Sequence, residues 1–386
     1  MITGSFPIEQ LSRLETPYYY YDMNVLRETL HVLQSEATDP RWQVHYAVKA
    51  CATKAILHTI AASGLGADCV SGGEVRAALA AGFPAQKIVF AGVAKTDNEI
   101  QYAMEQGIFC FNVESMEELE VINQLAISMG KRARVCLRVN PNVDAHTHSK
   151  ITTGLSENKF GIPAVFLTEA VQLCLRLPAI EFLGLHFHIG SQITDMKPFE
   201  QLAHRVNELV AEVEQLTEVQ HINVGGGLGI LYEHPNHFPI PDFKAYFATW
   251  RTHLTLRENQ HLHFELGRSI VAQCGNLMTR VLYVKHGENK QFAIVDAGMT
   301  DLIRPALYGA FHRVENISYP DKEEQLYDIV GPICESSDVF VEGYRIAEVQ
   351  RGDLLAMRSA GAYGEIMASQ YNLRRLPGSV ISDDLQ

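Results

Sequence analysis

The sequence alternates short apolar segments, typical of buried strands, with amphipathic segments that are typical of helices. Eight strand-like segments begin between residues 45 and 261, and successive starts lie about 31 residues apart on average. A (β/α)₈ barrel of about 250 residues has the same step. We therefore predict such a barrel, and the strand count leaves an open doubly wound sheet as the alternative.

The predicted strands are 45–50, 66–70, 87–93, 108–114, 133–140, 182–190, 221–227 and 261–267. Helices are predicted over 75–82, 98–107 and 116–130, because their apolar residues recur three and four apart and a glycine ends each segment. After residue 270 the pattern changes to short β-rich runs broken by turn residues, which predicts a mostly β second domain. The strand-like segment TPYYYYD (16–22) could pair into it. We place the barrel at 24–268 and the second domain at 1–23 and 269–386.

Composition limits the class of partner. The net charge of −13 argues against nucleic acid or an anionic membrane, since both require a basic surface. No apolar run approaches the roughly 18 residues of a membrane span, and the first residues lack the pattern of a secretory signal. The seven cysteines do not form a disulfide pattern. We therefore expect a cytoplasmic protein that acts on a small molecule.

The active site of such a barrel lies at the carboxyl ends of its strands, where polar residues need an explanation. Lys49 closes the first predicted strand. Desolvation there would lower its pKa and make its amine a better nucleophile for carbonyls, although a lysine that simply extends into solvent fits as well. Glu265 and Arg268 follow the eighth strand. They could pair with each other, or Glu265 could hold a proton on a ligand nitrogen.

Two further strand ends carry candidate ligand-binding groups. His186 and His188 alternate along the sixth strand and would share one face. They could bind a metal, pack a ring over a planar ligand while Ser191 donates to an anion, or be plain core histidines. HEXXH and CxxC spacings are absent, and we predict no metal in the site. Gly225–Gly227 follow the seventh strand as an anion nest or a tight turn.

Together these groups supply an amine, a ring-stacking group, a phosphate nest and a carboxylate, which are the parts needed to hold pyridoxal phosphate. Nine blocks in order carry a resemblance: YAVKA, GADCVSGGE, HTHSKITTG, NKFGI, LHFHIGSQI, NVGGGLG, DAGMTDLIRPALYG, GPICESSD and AGAYG. Through them nearly the whole chain resembles the pyridoxal-phosphate-dependent amino-acid decarboxylases of the alanine-racemase-like fold. It is most similar to those that act on diaminopimelate.

The resemblance implies pyridoxal phosphate as the cofactor, in Schiff-base linkage to Lys49. It implies that His188 stacks on the ring, Glu265 faces the pyridine nitrogen and Cys334 protonates the α-carbon. The implied cofactor-binding residues are Lys49, Asp68, His188, Ser191, Gly225, Gly226, Gly227, Glu265, Gly267, Arg268 and Tyr363. The implied substrate-binding residues are Arg268, Arg304, Tyr308, Glu335 and Tyr363.

The resemblance further implies conversion of meso-2,6-diaminopimelate to L-lysine and CO2, the last step of lysine biosynthesis, by a homodimer with shared active sites. The distal end of that substrate carries an ammonium and a carboxylate, which Glu335 and Arg304 could pair. A diamine-forming decarboxylase would leave a buried Arg304 unpaired.

Carboxynorspermidine or another basic amino acid is the alternative substrate. An inactive regulatory relative, expected to lack Lys49 or Cys334, is the minor alternative. The family usually has proline at the position where this chain has Leu266.

Overall fold

The computed structural model describes residues 6–143 and 159–385, so the block HTHSKITTG lies outside the described residues. The strands are β1 (Tyr18–Tyr21), β2 (Trp42–Ala47), β3 (Gly66–Cys69), β4 (Ile88–Phe90), β5 (Cys110–Val113), β6 (Ala133–Asn140), β7 (Ile162–Pro163), β8 (Ile180–His186), β9 (His221–Asn223), β10 (His261–Leu266), β11 (Gly275–His286), β12 (Gln291–Val295), β13 (Val314–Asn316), β14 (Glu324–Val330), β15 (Val339–Ala347), β16 (Leu354–Met357) and β17 (Gly378–Ile381).

The α-helices are α1 (Ile8–Leu11), α2 (Met23–Glu36), α3 (Lys54–Ala62), α4 (Gly72–Ala80), α5 (Asp97–Gln106), α6 (Met116–Ser128), α7 (Leu167–Arg176), α8 (Lys197–Val213), α9 (Phe243–His253), α10 (Arg268–Val271) and α11 (Arg304–Tyr308). Among the described residues, no helix is both long and apolar enough to cross a membrane.

The chain divides into two compact units. The barrel unit comprises residues 30–229 and 242–267, and the β unit comprises residues 1–29, 230–241 and 268–386. The units therefore differ from the predicted domains at 24–29, 230–241 and 268, which belong to the β unit. The predicted domain boundaries stay a prediction.

The barrel unit is built on eight parallel strands. They pair in the order β2, β3, β4, β5, β6, β8, β9 and β10, and β10 pairs with β2 to close the circle. The predicted (β/α)₈ barrel is confirmed, and closure excludes the open doubly wound sheet. The short strand β7 pairs with the end of β6 and was not predicted.

Helix boundaries in the barrel unit follow from local chemistry. Thr96 and Glu99 form a capping box at the start of α5, and Ser115 caps α6 through the backbone N–H of Glu118. Gly107 ends α5 in the left-handed region with φ 67°, a conformation that glycine adopts without steric cost. The helices predicted over 98–107 and 116–130 are observed as α5 and α6.

Seven of the eight predicted barrel strands end earlier than predicted, and two of these ends bear on the candidate site. The first ends at Ala47, so Lys49 lies in the 3₁₀ turn Val48–Ala50 that follows it. The sixth ends at His186, so the prediction that His188 shares a strand face with His186 is wrong. The neighbouring strand β9 ends at Asn223, whose carbonyl accepts the N–H of Phe187, and the glycines after it turn the chain away. Beyond Phe187, β8 therefore has no strand to pair with on the side where β9 lies.

The β unit contains an eight-stranded sheet in which β13, β16, β11, β12, β14 and β15 are successive neighbours. Strand β1 pairs antiparallel with β11 and parallel with β17. Its four tyrosines are buried, because Tyr18 and Tyr20 pack with Leu11, Met278 and other apolar residues. The prediction of a mostly β domain that takes in the N-terminal strand is confirmed.

Candidate active site in the barrel unit and candidate substrate residues in the β unit

Lys49 lies at the barrel mouth and contacts a buried carboxylate. Its Nζ is 3.1 Å from Oδ2 of Asp68; the lysine side chain is 37% exposed and the aspartate side chain is fully buried. Burial raises the pKa of Asp68, and the nearby Glu265 charge raises it further. Oδ1 of Asp68 has no hydrogen-bond partner among the described residues. This carboxylate therefore holds the Lys49 ammonium at the mouth and keeps one oxygen for a further donor.

Gly267 permits the close packing that positions Lys49. A Cβ atom on Gly267 would lie 3.1 Å from the Cβ atoms of both Ala47 and Ala50, which flank the 3₁₀ turn. The end of β10 therefore approaches the Lys49 turn so closely that a side chain at position 267 would require Ala47 or Ala50 to shift. Leu266 is buried, pairs with Tyr46 of β2 and is the last residue of β10.

Glu265 is a buried carboxylate with three side-chain donors. Its Oε1 accepts hydrogen bonds from Nδ2 of Asn112 at 3.0 Å and of Asn223 at 2.7 Å, and Nε2 of His186 lies 3.1 Å from its Oε2. Burial alone would raise the pKa of Glu265, but His186 and Lys49 outweigh burial and hold it below the usual range. A carboxylate has about four lone-pair sites, so one site on Oε2 remains for a ligand donor.

His188 is held in one neutral tautomer. Its Nδ1 accepts the N–H of Gly226 at 3.2 Å, so the ring proton resides on Nε2. Burial lowers the pKa of His188 well below its usual value, with Arg138 adding to the effect. The described residues contain one group of three or more close metal-ligating side chains, and it includes neither His186 nor His188. The two-histidine metal interpretation therefore has no support here.

The glycines after β9 pack against neighbouring backbone too closely for a side chain to fit. A Cβ atom on Gly225, which has φ 70°, would lie 2.4 Å from the carbonyl oxygen of Phe187. One on Gly226 would clash with the carbonyl oxygen of Glu265 at 1.9 Å. The Gly225 N–H donates to Oδ1 of Asn223, so it and the Gly226 N–H are already engaged within the protein. The predicted phosphate site, with Ser191 in the segment before α8, stays a prediction.

Several residues of this site were missed by sequence reasoning. Arg138 of β6 forms a buried pair with Glu114, at 2.6 Å from Nη1 to Oε1. Glu74 accepts the Val70 N–H, and burial raises its pKa to about 7. Asn112 is the clearest omission, because the motif FCFNVE places an amide at the end of an otherwise apolar strand. That pattern is the signal that could have identified it.

In the β unit, two buried arginines gather around aromatic rings. Arg268 donates from Nη1 to the hydroxyl of Tyr232 at 2.7 Å, and its guanidinium lies 4.8 Å from the ring centroid of Tyr363. Tyr363 adopts φ 56°, which is uncommon for a residue with a side chain. The Arg304 guanidinium lies 4.9 Å from the ring centroid of Tyr232. Cation–π contacts thus stabilise both guanidinium groups.

Arg304 lacks an anionic partner among the described residues. It is the first residue of α11, and Tyr308 is the last. Nη1 of Arg304 donates to Nε2 of His312 at 2.7 Å, because Nδ1 of that ring donates to the carbonyl oxygen of Arg358. Burial lowers the pKa of Arg304, and burial together with Arg304 lowers that of His312 to about 3. Within residues 6–143 and 159–385, Nε of Arg304 has no hydrogen-bond partner. A buried guanidinium that lacks an anionic partner among the described residues fits an anionic ligand.

Cys334 and Glu335 lie in an exposed loop of the β unit. The Cys334 N–H donates to Oδ1 of Asn372 at 3.1 Å, and the hydroxyl of Tyr371 donates to Oε1 of Glu335 at 2.6 Å. Cys334 is exposed, whereas the other six cysteines are buried. Leu373 beside this loop is 98% exposed. The predicted proton donor and substrate carboxylate therefore face solvent in the single chain.

Comparison with known proteins agrees with this fold. Residues 25–272 match the family model "Pyridoxal-dependent decarboxylase, pyridoxal binding domain". The chain therefore belongs to the pyridoxal-dependent decarboxylases: it is an enzyme, a carboxy-lyase, with pyridoxal phosphate as its cofactor. Within that class, its family is that of the relatives named diaminopimelate decarboxylase.

Three relatives illustrate the similarity. Diaminopimelate decarboxylase of Bacteroides thetaiotaomicron is 59% identical, with 99% of both chains covered. That of Zymomonas mobilis is 42% identical over 95% of this chain and 87% of the relative. The crystal structure of the Helicobacter pylori diaminopimelate decarboxylase complexed with L-lysine has a TM-score of 0.92 at 38% identity, covering 97% of this chain and 94% of that one.

The residues of the barrel mouth fit this cofactor. Lys49 is the amine that can bind its aldehyde, and Glu265 is an ionised carboxylate with one lone-pair site left for the pyridine nitrogen. Asp68 Oδ1 is a buried acceptor without a partner among the described residues. An aromatic heterocycle with an aldehyde and a ring nitrogen matches Lys49, Glu265 and Asp68.

Proposed function

We propose that this enzyme decarboxylates meso-2,6-diaminopimelate to L-lysine and CO2. The observation that carries the proposal is the state of Arg304, a buried guanidinium with no carboxylate partner among the described residues. The distal carboxylate of diaminopimelate supplies that partner through a bidentate contact. Carboxynorspermidine, lysine and ornithine have only the carboxylate that is lost, so each would leave Arg304 unpaired. The names of the relatives support the same substrate.

In the proposed mechanism, the side-chain amine of Lys49 would hold the cofactor at the barrel mouth. The cofactor, when bound, supplies an electron-accepting ring for the electron pair left by CO2. Glu265 keeps its negative charge because Asn112, Asn223 and His186 hold it, and so it can keep a proton on the ring nitrogen. His188, neutral and fixed by Gly226, packs against the ring without adding charge.

The substrate end of the site is proposed to form between two copies of the chain. Cys334 would protonate the α-carbon and Glu335 would pair the distal ammonium, yet both are exposed on the single chain. The adjoining Tyr371 and Leu373 expose 49% and 98% of their surface and add apolar area to this exposed loop that a partner chain would cover. A homodimer in which this loop enters the partner's site accounts for both observations.

We also propose a cytoplasmic location. All seven cysteines lie in the described part of the chain and none forms a disulfide. Unpaired cysteines in this number are typical of a reducing compartment.

The test is a comparison of substrates. Purified enzyme saturated with pyridoxal phosphate is given meso-diaminopimelate, carboxynorspermidine, L-lysine or L-ornithine, and the release of CO2 and of the amine product is measured. We expect the highest kcat/KM with meso-diaminopimelate and L-lysine as its product. A higher kcat/KM with carboxynorspermidine would replace the proposed substrate. Cofactor binding without release of CO2 from any of them would favour the inactive regulatory relative.

A further inference from the structure

Two outer helices of the barrel unit carry a group of three metal-ligating side chains. Glu200 and His204 lie one turn apart on α8, and His253 is the last residue of α9. Nε2 of His204 and Nδ1 of His253 each lie 4.0 Å from Oε1 of Glu200, and the three ligand atoms lie within 4.8 Å of one another. In the ranges that the structure describes, this is the one such group. None of the three residues belongs to the decarboxylase site.

The backbone beneath this group is fixed by a side chain of α8. Asn207, one turn beyond His204, donates from Nδ2 to the carbonyl oxygen of His253 at 2.9 Å. Its Oδ1 accepts the N–H of Thr255 at 2.9 Å. The first bond satisfies a carbonyl that a helix leaves unpaired at its C-terminal end, and the second holds the chain just beyond α9. Asn207 therefore holds the His253 backbone against the face of α8 that presents Glu200 and His204.

The spacing of the three ligand atoms suits a metal ion. Zinc binds nitrogen and oxygen ligands at about 2.0–2.2 Å, which places ligand atoms of a tetrahedral site about 3.4 Å apart. The present separations are slightly larger. The side chains of Glu200, His204 and His253 are 45%, 60% and 27% exposed, so rotation about their own bonds can close the group while both helices stay in place.

The donor set selects the kind of metal. Two imidazoles and a carboxylate are a known zinc donor set, with the fourth position open to water. Calcium and magnesium prefer oxygen ligands and would gain little from His204 and His253. HEXXH and CxxC spacings are absent from the sequence, so motifs gave no sign of a metal site. The group forms only because α8 and α9 pack side by side.

We propose that Glu200, His204 and His253 bind one zinc-class divalent transition-metal ion per chain and so link α8 to α9. The competing explanation is a pair of weak surface ion pairs, since both carboxylate–imidazole distances are at the limit for such contacts.

The test uses the tag-free holoenzyme, with Zn²⁺ titrated by calorimetry and Co²⁺ followed by visible absorption. The variants are His204→Gln and His253→Gln. The matched control is His31→Gln, which removes an exposed histidine from α2. Circular dichroism checks the fold of each variant, and decarboxylase activity is expected to remain at the wild-type level in all three.

We expect one Zn²⁺ per chain, at least tenfold weaker binding in each of the two site variants, and unchanged binding in the control. Zn²⁺ should raise the Tm of the wild type and of the control but not of the site variants, because only a site present in the folded state stabilises on binding. Failure of the wild type to bind one Zn²⁺ would overturn the proposal. So would equal affinity in the site variants, or a Co²⁺ spectrum with a thiolate band, which would point to the exposed Cys334.

Discussion

Lys49 and Asp68 form an ion pair in which Nζ lies 3.1 Å from Oδ2 and the carboxylate is fully buried. A second buried carboxylate, Glu265, belongs to the same unit and has the opposite titration behaviour. Burial raises the pKa of Asp68, whereas the partners of Glu265 overcome burial and lower its pKa. Two carboxylates whose environments move their pKa values apart are typical of sites that transfer protons. The carboxylate with the lowered pKa is the one suited to hold a positive charge on a ligand.

Glu265→Gln tests that role. A neutral amide cannot keep the ring nitrogen protonated, so the electron sink weakens. A hydrogen bond to a charged group contributes about 1.5–3 kcal/mol, so kcat should fall roughly ten- to a hundredfold while the cofactor stays bound. Steady-state kinetics and the cofactor content of the purified variant measure the two effects. An unchanged kcat would show that the Glu265 charge has no part in the reaction.

Arg304→Ala separates the substrate hypotheses. If Arg304 holds the distal carboxylate, its removal costs about 1.5–3 kcal/mol, and kcat/KM for diaminopimelate should fall roughly ten- to a hundredfold. Any trace activity on lysine, which lacks that carboxylate, should fall much less. Equal losses on both substrates would mean that Arg304 organises the site in general, and no loss on either would favour carboxynorspermidine.

Mixing two inactive variants tests whether the active sites are shared. We expect Lys49→Ala and Cys334→Ser each to be inactive or nearly so as homodimers. If each site takes Lys49 from one chain and Cys334 from the other, half of the sites in a mixed dimer are intact. Random pairing should therefore restore about a quarter of the wild-type activity. Activity that stays at the level of the separate variants, although mass spectrometry shows mixed dimers, would contradict the shared site.

A chain of buried histidines in the barrel unit predicts how stability depends on pH. Nδ1 of His45 donates to the carbonyl oxygen of Lys87, Nε2 of His45 lies 2.9 Å from Nδ1 of His263, and Nε2 of His263 lies 2.9 Å from Nδ1 of His221. Burial lowers the pKa of His45 and of His221 to about 4 each, and it lowers that of His263 well below its usual value. All three rings are therefore neutral in the folded protein at neutral pH.

These lowered pKa values stabilise the fold above pH 6.5, and that stabilisation is lost as the pH falls towards 4, because only the unfolded chain takes up protons in this window. The loss is about 1.4 kcal/mol per pH unit for each buried histidine. Urea unfolding at pH 7 and pH 5 should show a fall in the free energy of unfolding that is smaller in His45→Gln. An equal fall in the variant would exclude His45 as a source of the pH dependence.

The sequence was sufficient to predict the barrel, because its eight apolar segments recur at a regular step. Lys49 and Glu265 could be predicted as site residues for a similar reason, since each is a charged residue near the end of an apolar strand. The residue at which a strand ends was less predictable. The strand β8 ends at His186 only because β9 ends at Asn223, and pairing between strands distant in sequence is not visible in either segment alone.

The residues that surround Glu265 were harder to predict for the same physical reason. Asn112, Asn223 and His186 come from three different strands and meet only because the barrel closes. The group of Glu200, His204 and His253 likewise depends on the packing of α8 against α9. Periodicity predicts which elements form, whereas contacts across elements decide which polar side chains are partners.

The most direct measurement of the central claim is the release of CO2 and L-lysine from meso-diaminopimelate by the wild type and by Lys49→Ala, assayed in parallel with added pyridoxal phosphate. We expect the wild type to release one CO2 and one L-lysine for each diaminopimelate consumed. The variant should release neither at a measurable rate, while its circular dichroism matches that of the wild type. Turnover by the variant at the wild-type rate, or no turnover by the wild type, would contradict the account.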